Sequence, residues 1–357
     1  MTLKKFAIFI FVIGVLVWPG CSEKKAENIY ETGQFEELQN NLDHARELYT
    51  DIIRKYPETD VAKKAAERLG AIDSIELSTT LSSQSSNNGG QTMQSQSSKY
   101  YSPFDQPEII RFLFHPRKDT GAYEKTSALA MDIPVDDNVT IGAQMHISSP
   151  SSPTILFFHG NGEIVSDYGD LGPVYNQNGI NFLVVDYRGY GRSTGSPTVS
   201  NMMNDAHAIL KYARQWLTKE NFSGPLIVMG RSLGSASALE LAANCSDGFD
   251  GLIIESGFAY AIPLLNLLGA NTDVLNIREK NEFDNIHKIK HFSKPTLVIH
   301  AEFDHIIPYT DGKALFDASP APEKKLLKIP QADHNTIFSY GMNAYMNAVK
   351  DMVSSML

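Results

Sequence analysis

A chain of 357 residues with 42% hydrophobic and 20% charged side chains has the composition of a globular protein, long enough for one large domain and an appendage. Its net charge of -10 argues against nucleic acid as a partner, because phosphate binding is carried by clustered Lys and Arg. Cys21 and Cys245 lie far apart and have no CxxC spacing, which argues against a disulfide framework and against a zinc site.

At the N-terminus, Lys4 and Lys5 precede an apolar run of 13 residues, Phe6 to Trp18. That run is shorter than the about 20 residues wanted for a bilayer span and suits the apolar region of a secretory signal. It ends in Trp18-Pro19-Gly20-Cys21-Ser22, which resembles a bacterial lipoprotein signal (residues 1–21) with Cys21 as the lipidated residue. Trp18 and Pro19 depart from the usual Leu and small residue, and a simple signal anchor or secretory peptide is the alternative. The resemblance implies a membrane held through a lipid anchor in the cell envelope. Ser22, in place of aspartate, favours the outer membrane of a diderm host.

Residues 30–77 carry a helical period. Leu38, Leu42, Ala45, Leu48, Tyr49, Ile52 and Ile53 form one stripe, which stops at Tyr56-Pro57, because a residue before proline is pushed out of the helical region. Thr59 or Asp60 can cap a second helix carrying Val61, Ala65, Ala66, Leu69 and Ile72. The pair resembles one unit of a tetratricopeptide-type repeat. Such units normally stack in about threes, so a single one reads as a hairpin that docks on a protein partner or on the main domain, or as a stalk. Residues 78–99 form a linker: 19 of the 22 are Ser, Thr, Gln, Asn or Gly, too few apolar groups to offset the entropy of ordering them.

From Tyr100 onward strands and helices alternate. Phe112–Phe114 and Ala128–Ile133 read as short edge strands, and Val139–Ile147 as a half-buried one. Further strands are expected at Thr154–Phe158, Asn181–Val185, Leu226–Met229, Gly251–Ile254, Thr296–Ile299 and Lys325–Ile329. Helices are expected through 164–178, Asn201–Leu217, after Ser232, Thr310–Ala318 and from about Thr336. Continuous apolar strands between helices predict an α/β fold, a mostly parallel sheet covered on both faces, with reactive groups at the carboxyl ends of its strands.

Four constellations fall at such ends. Gly230-Arg231-Ser232-Leu233-Gly234 joins a strand to a helix, the context of a nucleophile elbow, in which a side chain at either glycine would strike the crossing backbone. His159-Gly160-Asn161-Gly162 follows the strand Thr154–Phe158 and can turn backbone N–H groups into a site. Asp304 follows Thr296–Ile299, and His334 follows Lys325–Ile329. Singly, each has a bland reading: a close-packing turn, a glycine turn, a helix cap, a surface histidine. Together they run Ser232, Asp304, His334, in the α/β-hydrolase order.

With Asp186-Tyr187-Arg188-Gly189-Tyr190-Gly191-Arg192-Ser193 these segments resemble the α/β-hydrolase superfamily over residues 104–357, nearest its serine-aminopeptidase-like and esterase–deacylase branches. Ala301 stands where that family often has glycine. The resemblance implies acyl transfer with Ser232 as nucleophile, His334 as base and Asp304 as its orienting acid. The N–H groups of Asn161 and Leu233 would form the oxyanion hole, with no metal or cofactor needed. Glu255 is a second possible acid, ranked below Asp304. Arg188 and Arg192 could form an anion site, though a loop packed under the glycine turn is the stronger reading. The insertion between Ser256 and Phe283 would be a short lid, its apolar residues lining an acyl pocket or serving as core. The expected substrate is a small or lipid-like ester, thioester or related acyl compound. An aminopeptidase and a catalytically silent binding module are the competing readings.

Overall fold

The computed structural model describes residues 42–79, 101–119, 128–277 and 283–356, with scattered positions between 23 and 34. The expected signal segment with Cys21, and the expected linker beyond Thr79, lie outside the described residues. The chain divides into two compact units, Met1–Gly90 and Gln91–Leu357.

In the first unit, α1 (Leu42–Lys55) and α2 (Asp60–Thr79) pack on each other through Ala45, Tyr49, Ile52, Val61, Ala62, Ala65 and Ile72, all buried. Thr59 makes the break between them. Its hydroxyl donates to the Tyr56 carbonyl at 2.7 Å and accepts the Ala62 N–H at 3.2 Å, so one side chain closes one helix and caps the next.

The second unit is built on an eight-stranded sheet in the order β1-β2-β4-β3-β5-β6-β7-β8. Its strands are β1 (Leu129–Asp136), β2 (Val139–His146), β3 (Thr154–Phe158), β4 (Asn181–Val185), β5 (Leu226–Arg231), β6 (Gly251–Glu255), β7 (Thr296–Ala301) and β8 (Lys324–Ile329). The two pairings that involve β2 are antiparallel and the rest are parallel. Period-two alternation distributes each central strand between two cores. On β5, Leu226 and Val228 enter one core while Ile227 and Met229 enter the other. α5 (Val199–Lys219) and α6 (Gly234–Asn244) cover the first face; α4 (Leu171–Gln177) and α10 (Ile337–Ser354) cover the second. The unit also contains α7 (Ala261–Leu267), α8 (Asn285–Ile289) and α9 (Tyr309–Ala318).

One expected element is corrected. Phe112-Leu113-Phe114 is not a strand: residues Pro107–Leu113 form helix α3, and only Phe114 is extended. Pro107 sits at the helix start, where its missing N–H costs nothing, and Ile109 and Leu113, four residues apart, supply the buried stripe. The insertion after β6 contributes α7, which packs on α3, and exposes Tyr260, Leu267 and Val274.

Candidate active site

β5 delivers Ser232 on a turn that only close approach explains. Ser232 has φ 51°, in the left-handed region that non-glycine residues seldom adopt. A Cβ at Gly234 would collide with the Phe158 carbonyl, and one at Gly230 with the Gly234 carbonyl. The two glycines therefore let β5, the turn and α6 pass at backbone contact. The Ser232 N–H donates to the Glu255 carbonyl at 2.9 Å, and the Ser235 hydroxyl donates to the Ser232 carbonyl at 2.6 Å.

Loops from two other strands meet this serine. His334, beyond β8, is 3% exposed and places Nε2 3.0 Å from Ser232 Oγ, while its Nδ1 lies 2.7 Å from Asp304 Oδ2. An ionised carboxylate only accepts, so Nδ1 carries the proton and Nε2 is left to accept from the serine hydroxyl. The other Asp304 oxygen accepts the N–H groups of Ile306 (3.1 Å) and Ile307 (2.8 Å), which fixes the carboxylate plane. Burial would raise the Asp304 pKa, but the hydrogen bond and charge of His334, with the Ile307 N–H, hold it below the ordinary aspartate value.

The turn after β3 lies beside them. Gly160 N–H donates to Glu163 Oε2 at 2.6 Å, and His159 Nδ1 is 2.8 Å from the Gly160 carbonyl. Asn161 Oδ1 accepts from Tyr190 Oη (2.7 Å) and from the His115 N–H (3.0 Å), so its amide nitrogen faces His115 Nδ1 at 2.7 Å. That nitrogen must then be unprotonated. Burial agrees, pushing the His115 pKa down to about 4. The Asn161 side chain is held by Tyr190 and His115, and Leu233 is the N-cap of α6, where first-turn N–H groups have no partner within the helix.

A protein-family model described as serine aminopeptidase, S33, matches residues 149–274. Human alpha/beta hydrolase domain-containing protein 17B is 32% identical over 212 residues, 57% of this chain and 67% of that one. The chain belongs to the α/β-hydrolase superfamily. Lysophosphatidylserine lipase ABHD12 of Danio rerio is 33% identical over 184 residues, 47% of each chain. Among solved structures, Pyrococcus furiosus esterase Pf2001 shares the fold with a TM-score of 0.55 at 17% identity, covering 68% of this chain and 98% of that one.

Within this hydrolase fold the remaining sequence candidates fall into place. Glu255, the second possible acid, is engaged elsewhere: Arg231 Nε reaches its Oε1 at 3.1 Å and the Tyr345 hydroxyl donates to its Oε2 at 2.7 Å. Arg188 is a structural clamp, not an anion site. Its Nε and Nη2 both bond Asp205 at 2.8 Å, and Asp136 lies 3.3 Å away. Arg192 binds the Met131 carbonyl (3.2 Å) and Asp132 (3.1 Å). The Asp186–Ser193 segment packs under the glycine turn instead, through Tyr187 Oη on the His159 carbonyl (2.6 Å) and Tyr190 on Asn161. Ala301 ends β7 fully buried, and the loop beyond it still brings Asp304 to His334. The insertion's α7 packs on α3, and two residues beyond α3 the His115 N–H donates to Asn161.

His115, Glu163 and Arg231 are not among the site residues expected from the sequence. The one signal available for Arg231 was its place inside the G-x-S-x-G turn, where a long charged residue adjoins Ser232. Nothing local marked His115 or Glu163.

Proposed function

We propose that the protein is a serine hydrolase that cleaves an ester, thioester or related acyl bond through an acyl-enzyme intermediate. One observation carries this reading: a hydroxyl on a left-handed turn at 3.0 Å from an imidazole that is itself anchored 2.7 Å from a buried carboxylate. In the proposed reaction His334 Nε2 takes the Ser232 proton as Oγ attacks the carbonyl carbon. Asp304 holds the tautomer and stabilises the imidazolium, and the N–H groups of Asn161 and Leu233 receive the oxyanion. His334 then returns the proton to the leaving group, and water repeats the sequence to release the acid. The lipase relative favours a lipid-like acyl substrate. Fluorophosphonate labelling tests the reading: the parent should label covalently and Ser232→Ala should not, while a panel of acyl esters and aminoacyl amides separates esterase from aminopeptidase. Labelling of folded Ser232→Ala at the parent rate would remove the serine mechanism and favour the binding-module reading.

We also propose that Cys21 is lipidated and holds the protein at the cell envelope, on the strength of the short apolar run ending at Gly20-Cys21. Stable anchoring by this route needs about two acyl chains, since one gives only marginal binding. Cys21→Ser should abolish incorporation of a fatty-acid analogue; unchanged incorporation rejects the anchor.

A further inference from the structure

Acyl transfer needs three separately built parts in register: the serine on β5, the oxyanion turn after β3, and the histidine loop after β8. Arg231 touches all of them. It is covalently joined to Ser232, yet its side chain runs beneath the site and is only 10% exposed. Nη1 lies 2.7 Å from Glu163 Oε1, and the other Glu163 oxygen accepts the Gly160 N–H at 2.6 Å and the Tyr168 hydroxyl at 2.5 Å. Nη2 donates to the His334 carbonyl at 2.8 Å, with Asn335 Oδ1 at 3.5 Å. Nε pairs with Glu255 Oε1 by charge at 3.1 Å, while the Tyr345 hydroxyl donates to the other Glu255 oxygen at 2.7 Å.

We infer that Arg231, through Glu163, is a positioning residue that sets the oxyanion turn and the His334 main chain relative to Ser232. The inference rests on the serine-hydrolase reading above. Three features support a positioning role over a purely stabilising one. First, the Nη2 contact is to the backbone of His334 itself, so it fixes the origin of the imidazole and not a neighbouring residue. Second, Glu163 spends both oxygens: one on the guanidinium, the other on the N–H just before Asn161. A displacement of Arg231 is thereby passed to the oxyanion turn. Third, the approach is tight, since a Cβ at Gly160 would lie 2.8 Å from Arg231 Nη1. A planar guanidinium holds the His334 carbonyl and the two carboxylates from fixed directions. An ammonium group on a flexible stem cannot hold all of them at once. Merely stabilising a fold rarely calls for a buried cation between two carboxylates, because the desolvation cost can exceed the Coulombic gain.

The test uses the full-length protein and p-nitrophenyl butyrate as substrate, reading kcat, KM and the thermal midpoint together. Arg231→Met should lower kcat about 100-fold, as expected for sub-ångström to ångström misplacement of reacting groups, with KM within about threefold. Arg231→Lys keeps the charge but not the fork and should recover only part of that loss. Glu163→Gln, nearly isosteric, keeps an acceptor for Gly160 but loses the ion pair, and should lower kcat about tenfold with KM unchanged. Should Arg231→Met fail to fold, Arg231→Lys and Glu163→Gln decide the matter. A parent-like kcat in the folded variants, or a drop in thermal midpoint with kcat preserved well below it, overturns the positioning role. Ser232→Ala is run in parallel: an inactive Ser232→Ala beside a fully active Arg231→Met rejects only this inference. An active Ser232→Ala rejects the serine mechanism beneath it.

Discussion

The carboxyl ends of β6 and β7 are neighbours in the sheet, with Glu255 opposite Ile299, and each supplies a buried carboxylate to the neighbourhood of one histidine loop. They are set to different tasks. Asp304 stands in the turn beyond β7, where two backbone N–H groups and the imidazole converge on it. Glu255 stays within β6, and its oxygens face Arg231 and Tyr345. Burial raises both acids. At Asp304 the hydrogen bond and charge of His334 outweigh it and the pKa lies below the ordinary value; at Glu255 burial prevails over the Arg231 charge and the pKa lies above it. A group that stabilises an imidazolium has to be an anion when the proton arrives. The comparison teaches that a strand-end acid takes its role from what it faces, since nearness to the histidine is common to both.

The variants that break this comparison span several orders of magnitude. Ser232→Ala sets the floor, with a loss of turnover up to about a million-fold by the measure of a well-studied protease. Asp304→Asn comes next. It preserves shape but presents an amide to His334 Nδ1, favouring the wrong tautomer, and kcat should fall about 10,000-fold with an unaltered fold. Circular dichroism and steady-state kinetics on the same preparation check it. Retention of activity within about tenfold would show that Glu255 can substitute for Asp304, and the distinction between the two strand ends would collapse.

Much of this arrangement was legible in the sequence, for physical reasons. Strands buried on both faces are written as unbroken apolar runs, so Thr154–Phe158 and Asn181–Val185 emerged with their observed bounds. The elbow was legible because close backbone approach leaves no choice but glycine at Gly230 and Gly234. Other features were hidden. In Phe112-Leu113-Phe114 a local apolar cluster hid the four-residue spacing of Ile109 and Leu113, and tertiary packing selected the helix. β1 runs through Pro134 to Asp136, beyond the expected end, which an edge strand tolerates because that proline need not donate to a second neighbour. The contacts of Arg231 with Glu163 and His334, and of His115 with Asn161, join residues remote in the chain and leave no local periodicity to read. The candidate reacting groups were therefore legible where backbone geometry restricts residue type, and the polar network around them was not.

Glu255→Gln supplies the smallest effect and the sharpest form of the comparison. The amide keeps an acceptor for Arg231 or Tyr345, and no atom of Glu255 is bonded to the imidazole, so kcat should change by less than about tenfold. The two side chains should instead differ in how stability responds to pH. The Glu255 pKa is raised above 4.5 in the folded protein by burial, so between 4.5 and that higher value the folded state binds more protons than the unfolded one. Its contribution to stability therefore falls as pH rises through this window. Glutamine does not titrate and escapes that loss. Relative to the parent, Glu255→Gln should gain in denaturation midpoint as pH is raised above 4.5 through the raised folded value. Asp304→Asn should behave in the opposite sense. A depressed carboxylate contributes stability above its unfolded value of 3.8 that is lost only as pH falls through the lower folded value, so the variant should fall furthest behind the parent at neutral pH and converge with it in acid. Denaturant midpoints for the three proteins across this range measure both slopes. Parallel slopes for the two variants would mean that the strand ends carry equivalent carboxylates, and the electrostatic basis for choosing Asp304 as the triad acid would be lost.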